Sequence, residues 1–401
     1  MSAAPPPPLS TRLNLLKPSA TASFHQKVVE LRTQGVDVLG FGVGEPDFPT
    51  PAHIREAAKR ALDDGATRYT SVRGISPLRR AIARDSAARR GGLAHSEDEI
   101  VVSVGAKHSL FNLCFALLGP GDEAIVPTPA WVSYPEQAQL AGATPVLVAT
   151  EADTGFKLTP AQLAAAITPR TRVLFLCSPC NPTGAAYTES ELRALADVLR
   201  PHPVWIVIDE IYATLVYDGF VQRSLLEVAP DLRDRIVVVD GVSKRFAMTG
   251  FRIGWVLASR AVAAACDALQ GQMTTSPATV AQYAALAALE GPDAPIEEMR
   301  RAFEARRALV LDALARIPGV ACRPPEGAFY VLIDVRAHLG RTLARKVRAD
   351  DVALAELLLD EARVAVVPGS AFFAPGFLRL SYAASEADLR EGLSRIARLL
   401  A

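Results

Sequence analysis

Arg172-Val-Leu-Phe-Leu176, the loop Ser178-Pro-Cys-Asn-Pro-Thr-Gly184, the helix-like stretch 189–199 and Val204-Trp-Ile-Val-Ile-Asp-Glu-Ile-Tyr212 follow one another in that order. Two short runs that are apolar on both faces, separated by an amphipathic helix, read as neighbouring parallel strands buried on each side by helices. The same alternation extends outward. Runs at 100–104, 123–126, 145–148, 235–239 and 253–257 take turns with helix-like segments such as 109–118 and 261–270. An α/β fold follows, with a mostly parallel central sheet covered by helices.

From about Pro292 the texture changes to a long charged helical stretch (296–316), a strand (329–333), a helix (352–361), strands at 364–367 and 378–381, and a helix from Glu386. These predict a smaller C-terminal α+β domain. The expected organisation is a disordered Pro-rich tail (1–12), an N-terminal segment packing with the small domain (13–45, helix-like over 22–33), a large domain (46–295) and the small domain (296–401). No Gly/Ser linker separates the two domains, so they should share a broad interface.

The 401 residues carry 43 Lys plus Arg against 43 Asp plus Glu, and half of them are apolar. That balance supplies no basic field for a nucleic-acid backbone, and no stretch reaches the roughly 18 uninterrupted apolar residues of a membrane span. Five scattered cysteines, an odd number, fit reduced thiols in the cytoplasm better than a disulfide framework. Cys177 and Cys180 form a CxxC, but without a second pair or a nearby histidine no metal site is expected.

In open parallel sheets ligands bind beyond the carboxyl ends of the strands, and the polar residues there form one set. After the 100–104 run, Gly105-Ala106-Lys107 opens a helix whose free N–H groups and dipole suit a phosphate; a tight turn alone would also use that glycine. Asp209 ends an apolar strand as a buried carboxylate or a helix cap. Lys244, in Gly241-Val-Ser-Lys-Arg-Phe-Ala-Met-Thr-Gly-Phe-Arg252, reads as a solvated loop lysine or, in an apolar surround, an amine nucleophile. Arg379 stands alone in the apolar Phe377-Leu-Arg-Leu-Ser-Tyr382, where it needs an ion pair or a bidentate ligand carboxylate. His53 and His108 read as structural.

The segments 178–184, 209–212 and 243–252 resemble the motifs of the class I and II aminotransferases, pyridoxal-phosphate enzymes of the aspartate aminotransferase fold (fold type I). The similarity runs from about Lys17 to the C-terminus, with separations of 28 (Asn181 to Asp209), 35 (Asp209 to Lys244) and 8 residues (Lys244 to Arg252). By this resemblance Lys244 is the Schiff-base lysine and proton carrier, Asp209 the partner of the pyridine nitrogen, and Asn181 and Tyr212 the pair on the ring 3′-oxygen. Gly105, Ala106, Ser243 and Arg252 resemble the phosphate cup, with Lys107 beside it. Trp131 resembles the stacking aromatic, although a core role would also suit it. Gly44 resembles the glycine that approaches the substrate, and Arg379 the substrate-carboxylate arginine. Tyr69 resembles the tyrosine that reaches the phosphate of a neighbouring subunit, which implies a homodimer.

The implied function is a ping-pong transfer of an amino group between an amino acid, with aspartate expected, and 2-oxoglutarate. Alternatives on the same fold are a C–S β-lyase or an aminotransferase for aromatic or neutral amino acids; an inactive cofactor-binding regulator is disfavoured because lysine, aspartate and phosphate arginine are all present. One branch of the family takes the distal carboxylate with an arginine of the neighbouring subunit, but the matching stretch 268–277 has no arginine or lysine. Lys107 is the expected replacement, with phosphate neutralisation as its other reading. Lys17 resembles a residue of bacterial enzymes that also accept prephenate.

Overall fold

A computed structural model describes residues 7, 9–16, 20–343, 346–347 and 349–400. Most of the expected Pro-rich tail (residues 1–6 and 8) and Lys17 lie outside the described residues. A 3-10 helix spans Thr11–Leu15, started by Ser10, whose hydroxyl accepts the Arg12 N–H.

The large domain is built on seven strands: β1 (Ile100–Val104), β2 (Glu123–Thr128), β3 (Thr144–Ala149), β4 (Thr171–Cys177), β5 (Trp205–Asp209), β6 (Ile236–Gly241) and β7 (Ile253–Leu257). Their order across the sheet is β1-β7-β6-β5-β4-β2-β3. The pairs from β6 to β3 are parallel, and β7 is antiparallel to both β1 and β6, so β7 alone runs against the rest.

Side chains along a strand point alternately to opposite faces, and here both faces are apolar. Ile206 and Ile208 of β5 join one core with Leu78 and Ile82 of the helix Ser76–Arg89. Val207 joins the other, with Leu110 and Leu113 of the helix Ala106–Leu117. β6 repeats the pattern, with Ile236 and Val238 in the first core and Val237 and Val239 in the second. Fully burying each such side chain contributes about 1.5–3 kcal/mol. The alternation fixes the site, because Asp209 continues the Val207 side while Asp240 continues the Val238 side.

The small domain holds an antiparallel sheet in the order Val367–Pro368, Phe377–Ser381, Tyr330–Asp334, Ala321–Cys322. The helices Ala294–Leu314, Asp351–Glu361 and Glu386–Leu400 cover it through Phe303, Leu354, Leu358, Leu389 and Leu393. The single strand expected over 364–367 is two. Val364–Ala365 pairs with Leu39–Gly40, and Val367–Pro368 pairs with Phe377–Ser381. An apolar run does not reveal that it changes partners halfway. The first pairing ties the N-terminal segment to the small domain.

Candidate active site

A cleft of about 520 Å³ opens where the carboxyl ends of the parallel strands meet the small domain. It collects Gly44, Ala106, Lys107, Trp131, Asn181, Asp209, Tyr212, Ser243, Lys244, Arg252 and Arg379, residues spread over more than 300 positions of the sequence. Gly105 lies immediately behind it, Tyr69 outside it.

Asp209 ends β5, beside Cys177 of β4 and Val239 of β6. It is buried, and it is more than a cap. Oδ1 accepts the Ile211 N–H at 3.1 Å and Oδ2 accepts the Tyr134 hydroxyl at 2.8 Å. Burial pushes its pKa up to about 6 against the lowering effect of those two donors.

Lys244 sits in the one-turn helix Val242–Arg245 that follows β6, and its Nζ donates to the Gly44 carbonyl at 2.6 Å. Burial lowers its pKa to about 8, with Arg252 and Arg379 adding to the effect and Glu45 and Asp209 opposing it. The amine is therefore a usable nucleophile and base near neutral pH. The same depression costs stability. Below pH 8 both the folded and the unfolded chain carry the proton and the cost is full; it disappears as pH rises from about 8 to 10.5. Cofactor-free Lys244→Met is accordingly expected to be more stable than the parent at pH 7, by up to about 3 kcal/mol, with the gain vanishing near pH 10.5. Thermal unfolding at both pH values checks this.

Ala106 starts its helix with the His108 and Ser109 N–H groups closing onto the Gly105 carbonyl, so the first N–H groups of the helix face outward. Gly105 has φ +81°, and a Cβ there would lie 2.5 Å from the Arg252 guanidinium. Arg252 itself is left-handed (φ 55°) and donates to the Thr249 carbonyl at 2.9 Å. The positive φ favours glycine at position 105, and a Cβ there would also push the Arg252 guanidinium aside. With Ser243 alongside, this arrangement of N–H groups and a guanidinium suits a phosphate.

Arg379 projects from Phe377–Ser381 and is 2% exposed. It donates to Asn181 Oδ1 at 3.0 Å and to the Gly42 carbonyl at 2.6 Å, between the rings of Tyr330 and Phe372. Its Nε has no partner, and among the described residues no carboxylate pairs with it. The structural ion pair is thereby excluded, and a buried guanidinium is left facing a cleft. Asn181 is held by its loop, where Gly184 (φ +68°) passes so near Pro325 that a Cβ would lie 2.3 Å away.

Lys107 sits with Nζ 4.8 Å from the centre of the Trp131 ring, its pKa lowered by burial and by Arg252. Tyr69 is 91% exposed on a loop pinned from behind by Gln282, which donates to Thr70, and by Gln270, which donates to the Val72 carbonyl. His108 accepts the Val104 N–H through Nδ1, which fits its structural reading. All five cysteines are free thiols.

Two side chains at the site escape the sequence reading. Tyr134 lies three residues after Trp131, and nothing in the sequence says that its hydroxyl reaches Asp209. Tyr330 lies in an apolar strand and looks like core, yet its hydroxyl is 2.9 Å from that of Tyr212. It also explains Gly44, where a Cβ would be 2.8 Å from the Tyr330 oxygen.

These residues fit pyridoxal phosphate: a depressed lysine, a buried carboxylate, a phosphate cradle and an unpaired arginine in one cleft. The sequence model of the aminotransferases class I and II matches residues 36–396. The chain is 48% identical, over 97% of each chain, to the aspartate/prephenate aminotransferase of Cereibacter sphaeroides. It is 46% identical, over 98% of each, to the aspartate aminotransferase of Geobacillus stearothermophilus. The crystal structure of the aspartate aminotransferase from Rhizobium meliloti superposes with a TM-score of 0.95 at 42% identity, covering 98% of both chains. That of Thermus thermophilus with maleate gives 0.92 at 45%, covering 98% of this chain and all of the other. The cleft, the sheet order and these similarities agree, and the chain belongs to the class I and II aminotransferases, pyridoxal-phosphate enzymes of fold type I.

Proposed function

We propose that this aminotransferase moves the amino group of aspartate to 2-oxoglutarate, as a cytoplasmic homodimer. The carrying observation is that Lys107 and Arg379 face the cleft of a chain without net charge while neither pairs with a carboxylate among the described residues. Two unpaired cations suit a substrate with two carboxylates. The relatives' names point the same way, as does the maleate, a dicarboxylate, of the Thermus thermophilus structure.

When bound, the cofactor supplies a ring that accepts the electron pair released at the substrate Cα. In this reading Asp209 keeps the ring nitrogen protonated, with Tyr134 and the Ile211 N–H holding the carboxylate in place. Lys244 Nζ takes the Cα proton and returns it, its pKa of about 8 suiting both directions. Gly105, Ala106, Ser243 and Arg252 would hold the phosphate, Trp131 would stack on the ring, and Asn181 and Tyr212 would bind its oxygen. Arg379 takes the α-carboxylate near Gly44. Tyr69, exposed on its pinned loop, serves a second copy's phosphate, which supports the homodimer. The division into residues 46–295 and 296–401, with 13–45 on the small domain, is part of the same proposal, as is the acceptance of prephenate suggested by the name of the Cereibacter sphaeroides relative. Free thiols favour a reducing compartment, and among the described residues no helix is long and apolar enough to cross a membrane.

Lys107→Ala tests the substrate. It is expected to lower kcat/KM for aspartate about 10- to 100-fold while alanine changes little, because a charged hydrogen bond of about 1.5–3 kcal/mol is lost only for the substrate that made it. Equal losses for both substrates would return Lys107 to the phosphate. Release of pyruvate from a β-substituted amino acid without any 2-oxo acid would overturn the transfer reaction in favour of the lyase.

A further inference from the structure

Behind the cleft, on the opposite side of the sheet from the cofactor site, lies a buried ionic chain that none of the steps above uses. Arg90 is 1% exposed at the end of the helix Ser76–Arg89. It donates to Glu210 at 2.7 Å and to Asp240 at 3.0 Å. Arg89 bridges Asp240 (2.6 Å) and Asp85 (2.7 Å), and Arg245 reaches Asp85 at 2.5 Å. Three cations and three anions alternate through the buried part, and Arg245 continues outward to the exposed Asp293 at 3.4 Å.

Its anchor points are adjacent to the chemistry. Glu210 follows Asp209, Asp240 lies four residues before Lys244, and Arg245 follows Lys244. The period-two alternation that turns Asp209 into the cleft turns Asp240 to the arginine side, and Glu210 leaves the strand end in the same direction. Both carboxylates act on Asp209 through the sheet, each pushing its pKa upward. Arg90 bonds both of these carboxylates and so sets a positive charge directly against that field. A network built simply to staple the helix to the sheet would not need its two most buried carboxylates beside the residue whose negative charge the reaction requires.

We propose that Arg90 is a positioning residue for the transamination: by neutralising Glu210 and Asp240 it keeps Asp209 anionic at the pyridine nitrogen, and with Arg89 and Arg245 it fixes the turn that carries Lys244. The inference rests on the cofactor reading above and concerns how that site is kept charged. The other groups facing Asp209 are the Tyr134 hydroxyl, the Cys177 and Cys180 thiols and the Lys244 amine. Burial pushes the Tyr134 hydroxyl up, the Cys177–Cys180 contact raises Cys177 and lowers Cys180, and Lys244 is engaged with the cofactor in the holoenzyme, so the network's charge is read from the opposite shifts of the charge-changing variants rather than from the position of the limb alone.

The test uses the holoenzyme and three variants with different net charges in the network: Arg90→Met (−1), Glu210→Gln (+1) and the neutral pair Arg90→Met with Glu210→Gln. The pyridoxal-phosphate dissociation constant and kcat are followed from pH 5 to 8. Arg90→Met is expected to move the acid limb of both upward by about one pH unit, and Glu210→Gln to move it downward, since a buried unit charge several ångströms away has an effect of that order. The double variant should return the limb towards the parent's position even though the Arg90 bridge is still missing. If Arg90→Met does not fold, Glu210→Gln and the double variant decide the matter through the direction of their shifts. A merely structural brace predicts lower stability in all three with the limb unmoved, and that result would overturn the proposal. A parent protein that binds no pyridoxal phosphate would instead overturn the cofactor reading itself.

Discussion

Lys244→Ala is expected to leave a folded chain that binds pyridoxal phosphate weakly and turns over aspartate at least about 10⁴-fold more slowly, the upper range for losing a positioned acid and base. The other lysine of the cleft, Lys107, is directed at Trp131 and does not stand where Lys244 does. Among the described residues Lys244 makes one hydrogen bond, to the Gly44 carbonyl, so its removal breaks little of the cleft's polar framework. The measurement is single-turnover absorbance of the bound cofactor on mixing with aspartate. Undiminished turnover in the purified variant would end the assignment.

Arg379→Met carries the second large effect. We expect kcat/KM for aspartate to fall about 10³-fold, since truncating one partner of a buried charge pair costs about 2–5 kcal/mol or more. In the free enzyme this guanidinium is desolvated between two rings with Nε unsatisfied, so the variant should unfold at the same temperature or higher. An amine lacking the α-carboxylate separates the roles: its slow reaction should be unaffected. If it falls in parallel with aspartate, Arg379 is maintaining the cleft's shape through Asn181 rather than gripping the substrate.

The candidate residues after the apolar runs were legible because strand ends are marked by where such runs stop, whereas Arg379 lies in mid-strand and stood out only as a lone charge. Those stops placed Asp209, Asn181, Lys244 and the Gly105 turn without any structure. Direction was not legible, because an apolar strand has no intrinsic polarity in its composition. The reversal of β7 is therefore visible only in the pairing of Val104 with Ile253 and of Gly241 with Gly254. Nor does a tyrosine in an apolar run declare its hydroxyl. Tyr330 needed its neighbours from 118 positions away to show that it touches Tyr212 rather than filling the core. The split of 364–367 between two sheets was hidden for the same reason, since partners, not composition, divide it.

The reversed strand also dictates when the phosphate cradle comes into being during folding. Arg252 stands at the beginning of β7, and only a strand running against its neighbours brings its beginning to the edge where β1 and β6 end. β7 lies between those two, so both of its flanks must be paired before Arg252 can close over Gly105, 147 residues earlier in the chain. Closing so long a loop precedes any contact it brings. The cradle is a product of the completed sheet and cannot template it. A chain ending before β7 would still contain Asn181, Asp209, Lys244 and Arg252 itself, yet without the strand nothing would bring Arg252 over Gly105, and the cradle would lack its arginine.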